Sequence, residues 1–573
     1  MAYLAPNHDN DAYDAVIVGS GASGGMAAFI LTRAGARVLM LEAGRDYDPL
    51  TETPMFNLPS EAPLRGTSTP DKEFGFYDAT VDGGWTVPGE PYTTAPGTTF
   101  KWWRARMLGG RTNHWARLSF RFGEFDFKGK SRDGLGDDWP ISYDDIAPYY
   151  DRVEKLIGVF GDAEGIENSP DSPPGILQPP PKPRGFERWM QMVMHQEHNI
   201  PLVPAHVAIL TKPIGDRAAC LYSTDCGRGC SVKANFQSTT VLIPPARDTG
   251  KLSVRTGAMV YEVVLDKRGR ANGVRYIDKA TGARHEVRAR SVILGASACE
   301  SSRILLQSKS AAHPDGLANS SGQVGRNLTD TVATSVQAVV PQLMDLPPFN
   351  DDGVTMPHVY TPWWLTREQK AGKLNFPRGY HIECWGGRQM PGVGGMGHLA
   401  SIAGSHGPAL HKDMRRMFGA VVGMAGRGEM IPNKNSYCEL DPEVKDRYGL
   451  PVLRFHFQFG EEEVKQAEHQ RKTFVEIFES MGATILTDTK QDIRKAMAVG
   501  GEIIHELGTA RMGSDARTSV LNDKLEAWDV PNLYVVDGAS FVTNPDKNPT
   551  LTIMALTWRA MDHLSAKLRR GDA

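Results

Sequence analysis

The chain has 573 residues, 40% of them hydrophobic and 23% charged, which excludes a short binding peptide and wholesale disorder and allows either three or four domain-sized units or two large interleaved ones. Its 64 Lys and Arg against 67 Asp and Glu give a formal charge of -3 with no block of one sign, so no nucleic-acid surface or other polyanion partner is expected. Glycine is the outlier at 59 residues, about a tenth of the chain against a usual share near 7%, so many backbone positions must need positive φ or close approach.

The start carries Asp9, Asp11 and Asp14, and its first basic residue is Arg33, so no secretory signal is expected. That leaves location open: cytoplasmic by default, or periplasmic if a signal-bearing partner exports the chain. Residues 15–32 are uncharged, but Gly19, Gly21, Gly24 and Gly25 make them a poor membrane span. They read better as part of a strand–turn–helix–strand unit: residues 13–18 are apolar and β-branched, 25–34 are helical in pattern, and 37–41 are strand-like again. Half of residues 170–183 are proline, so neither helix nor sheet runs there. His195 and His198 share a helical stretch and read as solvated surface. Residues 252–264, 273–277 and 288–294 are strand-like and 301–307 helical; 336–499 look more mixed. A strand at 533–536 and a helix from Thr550 close the chain.

Gly19-Ser20-Gly21-Ala22-Ser23-Gly24 fits G-x-G-x-x-G between a strand and a helix, where small residues let the backbone meet a pyrophosphate at the helix N-terminus. Glu42 ends the next strand, at the spacing of a carboxylate that accepts the hydroxyls of an adenosine ribose. Gly21 to Gly25 also match G-x-S-x-G, the nucleophile elbow of hydrolases. That rival fails on position, because only one strand precedes Ser23.

Residues 16–44, 107–115, 301–306, 324–328 and 532–551 together resemble the glucose-methanol-choline (GMC) family of FAD-dependent oxidoreductases, with sugar, gluconate and glycoside 3-dehydrogenase large subunits as the nearest branch. The resemblance implies an α/β fold: a Rossmann-like FAD-binding domain from residues 1–165, 235–335 and 500–573, and a discontinuous α+β substrate domain on an antiparallel sheet from 166–234 and 336–499. It implies oxidation of a sugar or glycoside hydroxyl, C3 being one example, with hydride transfer to FAD and a non-oxygen acceptor. Candidate partners are a small chaperone-like subunit and a cytochrome c. An oxidase using oxygen and a non-catalytic electron-transfer subunit are the alternatives.

Oxidising an alcohol in this way needs a base for the hydroxyl proton, and imidazole suits the task. By resemblance His505 is that base, and Asn548 holds the substrate oxygen, its amide donating without competing for the proton. A zinc-protease reading of His505-Glu506 fails because Thr509 stands at the second-ligand position. Gly109 and Gly110 can bring backbone amides to the cofactor. Asn113 belongs to the same stretch, and His114 falls where some relatives bond the flavin covalently and others only pack. Asp537, Gly538, Pro549 and Thr550 are expected beside the cofactor. Thr331 departs from the pattern, standing where many members carry histidine.

Cys220, Cys226 and Cys230 crowd into eleven residues with Gly227 and Gly229 among them. Some relatives hold a 3Fe-4S cluster on three cysteines so spaced, and a reduced loop at the substrate mouth is the other reading. Trp363, Trp364 and Trp385 are candidates for sugar stacking or for core.

Overall fold

The computed structural model describes residues 13–52, 83–222, 226, 230, 232–345, 357–387 and 393–572. Two large sheets organise them. In the seven-stranded sheet, the strands Leu252–Arg255, Val38–Leu41, Tyr13–Val18 and Arg284–Leu294 lie side by side and parallel, and Leu533–Val535 also pairs in parallel with Arg284–Leu294. These strands are short apolar runs because both faces are covered. The helix Ala22–Arg33 and the C-terminal helix Thr550–Arg570 pack on them, with Phe29 edge-on to Trp558 at 6.2 Å.

Arg284–Leu294 changes character along its length. Its first half alternates exposed and buried and pairs antiparallel with Ala271–Asp278, which in turn pairs with Ala258–Leu265; its second half is continuously buried among the parallel strands. One strand thus joins an outlying antiparallel ribbon to the parallel core.

The second sheet has six strands in the order Thr484–Ile485, Ser335–Val339, Val421–Gly428, Tyr380–Gly386, Val359–Thr361 and Val203–Pro204, all antiparallel. Residues alternate between its faces. Ile382, Cys384, Val422 and Met424 point into a core closed by Phe474, Ile477 and Phe478 of the helix Glu461–Ser480 and by Met190 and Met194 of Gly185–His198. Trp363, buried, and Trp364, half-buried, both pack on Tyr380 at the same core. The proline-rich residues 170–183 form no helix or ladder strand, and His195 stands exposed on its helix. No described helix is long and apolar enough to cross a membrane.

Candidate active site

The parallel strands end at Val18, Leu41, Leu294 and Val535, and ligands of open α/β sheets bind beyond such C-terminal ends. A cleft opens there, lined by Gly19 to Ser23, Glu42, Trp103 to Arg106, Gly110 to Thr112, Ala258 to Val260, Gly295 to Ala298, Ile504 to Leu507, Asp537, Gly538, Pro549 and Thr550. Of the expected cofactor residues, Gly19, Gly21, Ser23, Glu42, Gly110, Asp537, Gly538, Pro549 and Thr550 line it; Gly24, Gly109, Asn113 and His114 stand behind the lining.

The glycine turn divides its work between packing and space. Gly19 has φ +94°, and a Cβ there would strike the Gly295 carbonyl; a Cβ on Gly24 would strike the Gly19 carbonyl. A Cβ on Gly21 would meet nothing within 4 Å, so that position opens onto the cleft. Glu42 accepts from Ser20 N at 3.1 Å and Ser20 Oγ at 2.5 Å on Oε2, and from Gly44 N at 2.7 Å on Oε1. A carboxylate has about four acceptor sites, so Oε1 keeps one for a ligand. Burial raises the Glu42 pKa. Ser20 Oγ also accepts from Gly109 N at 2.9 Å, tying the two glycine segments together.

Asn113 is fully buried: its Nδ2 donates to Leu108 O at 2.9 Å and its Oδ1 accepts from Thr239 Oγ1 at 3.3 Å. His114 Nε2 accepts from Trp103 Nε1 at 2.9 Å. Burial, then Arg117 and Arg111, lowers the His114 pKa to about 3, so it is a neutral acceptor. Asp537 takes Ser297 N, Ser301 Oγ and Ala539 N at 3.0, 2.5 and 3.0 Å, and burial outweighs these bonds to raise its pKa to about 6.

His505 lines the cleft on the side of the second sheet. Its Nδ1 lies 2.9 Å from Thr331 Oγ1, its backbone N donates to Asp330 Oδ1 at 3.0 Å, and its carbonyl accepts from Asn544 Nδ2 at 3.3 Å. Burial first and Arg427 second lower its pKa to about 3, against the pull of Glu383. Asp330 also accepts from Ile503 N at 3.3 Å, and burial beside the Glu506 carboxylate raises its pKa to about 7. Glu506 is paired bidentately with Arg111, at 2.5 and 3.0 Å. Asn548 precedes the lining residues Pro549 and Thr550, and its Oδ1 is buried with no hydrogen-bond partner among the described residues.

Sequence reasoning noticed Thr331 only as a departure and missed Ser20, Arg111, Asp330 and Glu506. The glycine motif itself contains Ser20, and Asp330 and Glu506 each adjoin a residue already singled out, which were the available signals.

The three cysteines divide between two small apolar clusters. Cys226 sits in an apolar cluster with Leu118, Phe120 and Tyr360, Cys230 packs with Leu210 and Ala234, and Cys220 borders both. Burial and the neighbouring Cys226 and Cys230 push the Cys220 thiol up to about 12. Among the described residues no group of three or more His, Cys, Asp or Glu is arranged to hold a metal, so the 3Fe-4S cluster has no support. Gly227, Gly229 and the rest of residues 223–225, 227–229 and 231 lie outside the described residues.

A cleft built on a Rossmann turn, with a histidine facing it from beside an antiparallel sheet, defines a nucleotide-cofactor oxidoreductase. Residues 212–333 and 432–557 each match the family described as GMC oxidoreductase. Over 561 residues the chain is 31% identical to 2-methyl-1,2-propanediol dehydrogenase of Mycolicibacterium austroafricanum, covering 97% of this chain and 96% of that protein. It is 27% identical to the fructose dehydrogenase large subunit of Gluconobacter japonicus, over 97% and 98% of the two chains. The crystal structure of pyridoxine 4-oxidase from Mesorbium loti superposes with a TM-score of 0.60 at 16% identity, over 96% of this chain and 99% of that one, which shows the shared fold. The chain belongs to the GMC oxidoreductases, FAD enzymes that act on CH–OH donors. The relatives include both dehydrogenases and oxidases.

The residues present fit FAD: the segments that follow the strand ends line the cleft, Gly21 leaves room for a pyrophosphate, and Glu42 keeps an acceptor.

Proposed function

We propose that the chain oxidises a hydroxyl of a sugar or related polyol, with His505 as base and Asn548 as substrate clamp, and that electrons leave to an acceptor other than oxygen. The observation that carries the reading is His505 at the cleft, its Nδ1 2.9 Å from Thr331 Oγ1, with burial and Arg427 favouring the neutral imidazole.

Bound FAD, held by Gly19, Gly21, Ser23, Glu42, Gly110, Asp537, Gly538, Pro549 and Thr550, supplies the two-electron acceptor for hydride lost from carbon. With Nδ1–H donating to Thr331 Oγ1, the lone pair of His505 sits on Nε2, the tautomer needed to take a hydroxyl proton. Glu383 favours the imidazolium that results, being the counter-charge His505 senses. Asn548 donates its amide to the substrate oxygen and so holds it through the transfer. Behind the lining, Gly24, Gly109, Asn113 and His114 support the segments that shape it.

Similarity to a diol and a fructose dehydrogenase supports a polyol substrate and dehydrogenase chemistry. The relative named as a large subunit supports a partner subunit, and we propose a cytochrome c as the acceptor. We further propose that the seven-stranded sheet belongs to an FAD domain of residues 1–165, 235–335 and 500–573, the six-stranded sheet to a substrate domain of 166–234 and 336–499.

His505→Ala is expected to bind FAD normally and to lose about 10²- to 10⁴-fold in kcat, the usual worth of a general base. Flavin absorbance per chain and anaerobic flavin bleaching by a polyol check it; full turnover in the variant would sink the mechanism. Mixing the reduced enzyme with oxygen or with an artificial one-electron acceptor then decides between dehydrogenase and oxidase.

A further inference from the structure

The six-stranded sheet carries polar and charged side chains on the face opposite its main core, packed in part against Phe120 and Tyr360. Opposite the core-facing Ile382 and Cys384, the same strand presents His381, Glu383 and Trp385, and the neighbouring strand presents Arg427 directly across from His381. Glu383 Oε2 pairs with Arg427 Nη2 at 2.9 Å, and Glu383 Oε1 lies 3.3 Å from His381 Nε2. Glu383 is only 7% exposed. A buried ion pair rarely repays its desolvation in stability, so this one calls for a function.

The group is wired to the reaction centre. His381 Nδ1 donates to the carbonyl of Asp546, two residues before Asn548, and Asn544 in the same segment donates to the carbonyl of His505. Arg427 precedes Gly428, which is bridged to Val332, the residue after the Thr331 that holds His505. His505 and Glu383 each feel the other's charge. Trp385 lies over Gly423, where any Cβ would collide with the indole; the missing side chain lets the ring lie across the strand, half-buried beside Glu383.

We propose that Glu383, Arg427 and Trp385 form the specificity site for a vicinal diol. The hydroxyl next to the reacting one sits against this pair, donating to the Glu383 carboxylate and accepting from the Arg427 guanidinium. A hydroxyl both donates and accepts, so an adjoining acceptor and donor match it, and both bonds are charge-assisted. The Trp385 face covers the ring C–H surface that a sugar presents between its hydroxyls. The inference rests on the reading of His505 as the base, since that places the reacting carbon.

The test uses the FAD-loaded enzyme with trans-cyclohexane-1,2-diol and cyclohexanol, which share the reacting secondary carbon and differ in the second hydroxyl. Wild type is expected to favour the diol by about 10- to 100-fold in kcat/KM, the range of a hydrogen bond to a charged group, and Glu383→Gln and Arg427→Lys to lose most of that preference. Binding is read separately in His505→Ala protein, from the change in flavin absorbance as diol is added; adding Glu383→Gln should raise the diol Kd about tenfold. A diol preference that survives both substitutions, or a Kd that does not move, overturns the proposal. Should Glu383→Gln not fold, as judged by FAD content, Arg427→Lys decides, because it keeps the charge and loses the planar fork. A wild type that binds the diol but oxidises neither alcohol overturns the catalytic reading instead, and the Kd comparison still judges the specificity site.

Discussion

Thr331 stands where the family pattern expects histidine, and its hydroxyl is 2.9 Å from His505 Nδ1. In the proposed mechanism that hydroxyl accepts the Nδ1 proton, which leaves the basic lone pair on Nε2. Thr331→Val keeps the shape and removes the acceptor, at a cost of about 1 kcal/mol or somewhat more. The expected result is a kcat about tenfold lower with KM little changed, while Thr331→Ser retains most of the rate; steady-state kinetics on the three proteins check this, and equal rates for Val and Thr would remove the role. Asp330 makes a prediction about pH. Its carboxyl has a pKa of about 7 in the folded chain against an ordinary 3.8, because burial beside Glu506 disfavours the charge. Between pH 3.8 and about 7 the folded state therefore holds a proton that the unfolded state has lost. Stability contributed by this group falls as pH rises through that window. Asp330→Asn cannot ionise, so its melting temperature relative to wild type should climb from pH 4 to pH 7 and then level. The amide also disturbs the bond from Ile503 N, but that cost does not change with pH, and a flat difference across the window would contradict the assignment.

At the scale of elements, the glycine turn separates packing from ligand space. Gly24→Ala drives a Cβ into the Gly19 carbonyl and should destabilise the fold by about 1–3 kcal/mol. Gly21→Ala has open room, so the fold should tolerate it while FAD affinity falls at least several-fold; melting curves and flavin titration of the two variants together test the division. This turn was readable in the sequence because its signal is local: strand, glycines, helix and Glu42 lie within thirty residues. The strand expected over 252–264 was only half right, since Gly257 with φ +66° breaks it into a parallel strand and the start of an antiparallel ribbon. The polar face of Tyr380–Gly386 escaped notice although the alternation His381, Ile382, Glu383, Cys384 is plain in the sequence. Which face is core depends on pairing with Val421–Gly428 and on the helix Glu461–Ser480, and neither relation is local. Thr331 and His505 are likewise joined across 174 residues, so the sequence could mark each without showing the bond.

The whole molecule closes its cofactor cleft from segments spread between Val18 and Ile553, so bound FAD would add a cross-link among parts of the chain already joined by the sheet and by bonds such as Gly109 N to Ser20 Oγ and Arg111 to Glu506. Nothing in the unfolded chain can reproduce that set of contacts, and a ligand that binds only the folded state stabilises it by RT ln(1 + [L]/Kd), about 2.7 kcal/mol at a hundredfold excess over Kd. For a protein of this size each kcal/mol moves the melting temperature by a few degrees at most. Protein stripped of FAD should therefore melt about 2 °C lower than enzyme at a hundredfold FAD excess, and its melting temperature should rise with the logarithm of added FAD. Gly21→Ala separates this linkage from a general effect of flavin in solution: its stripped form should melt with the stripped wild type, yet need a higher FAD concentration for the same rise. A melting temperature indifferent to FAD would mean that these segments are held together without the cofactor and that the cleft between them is not its seat.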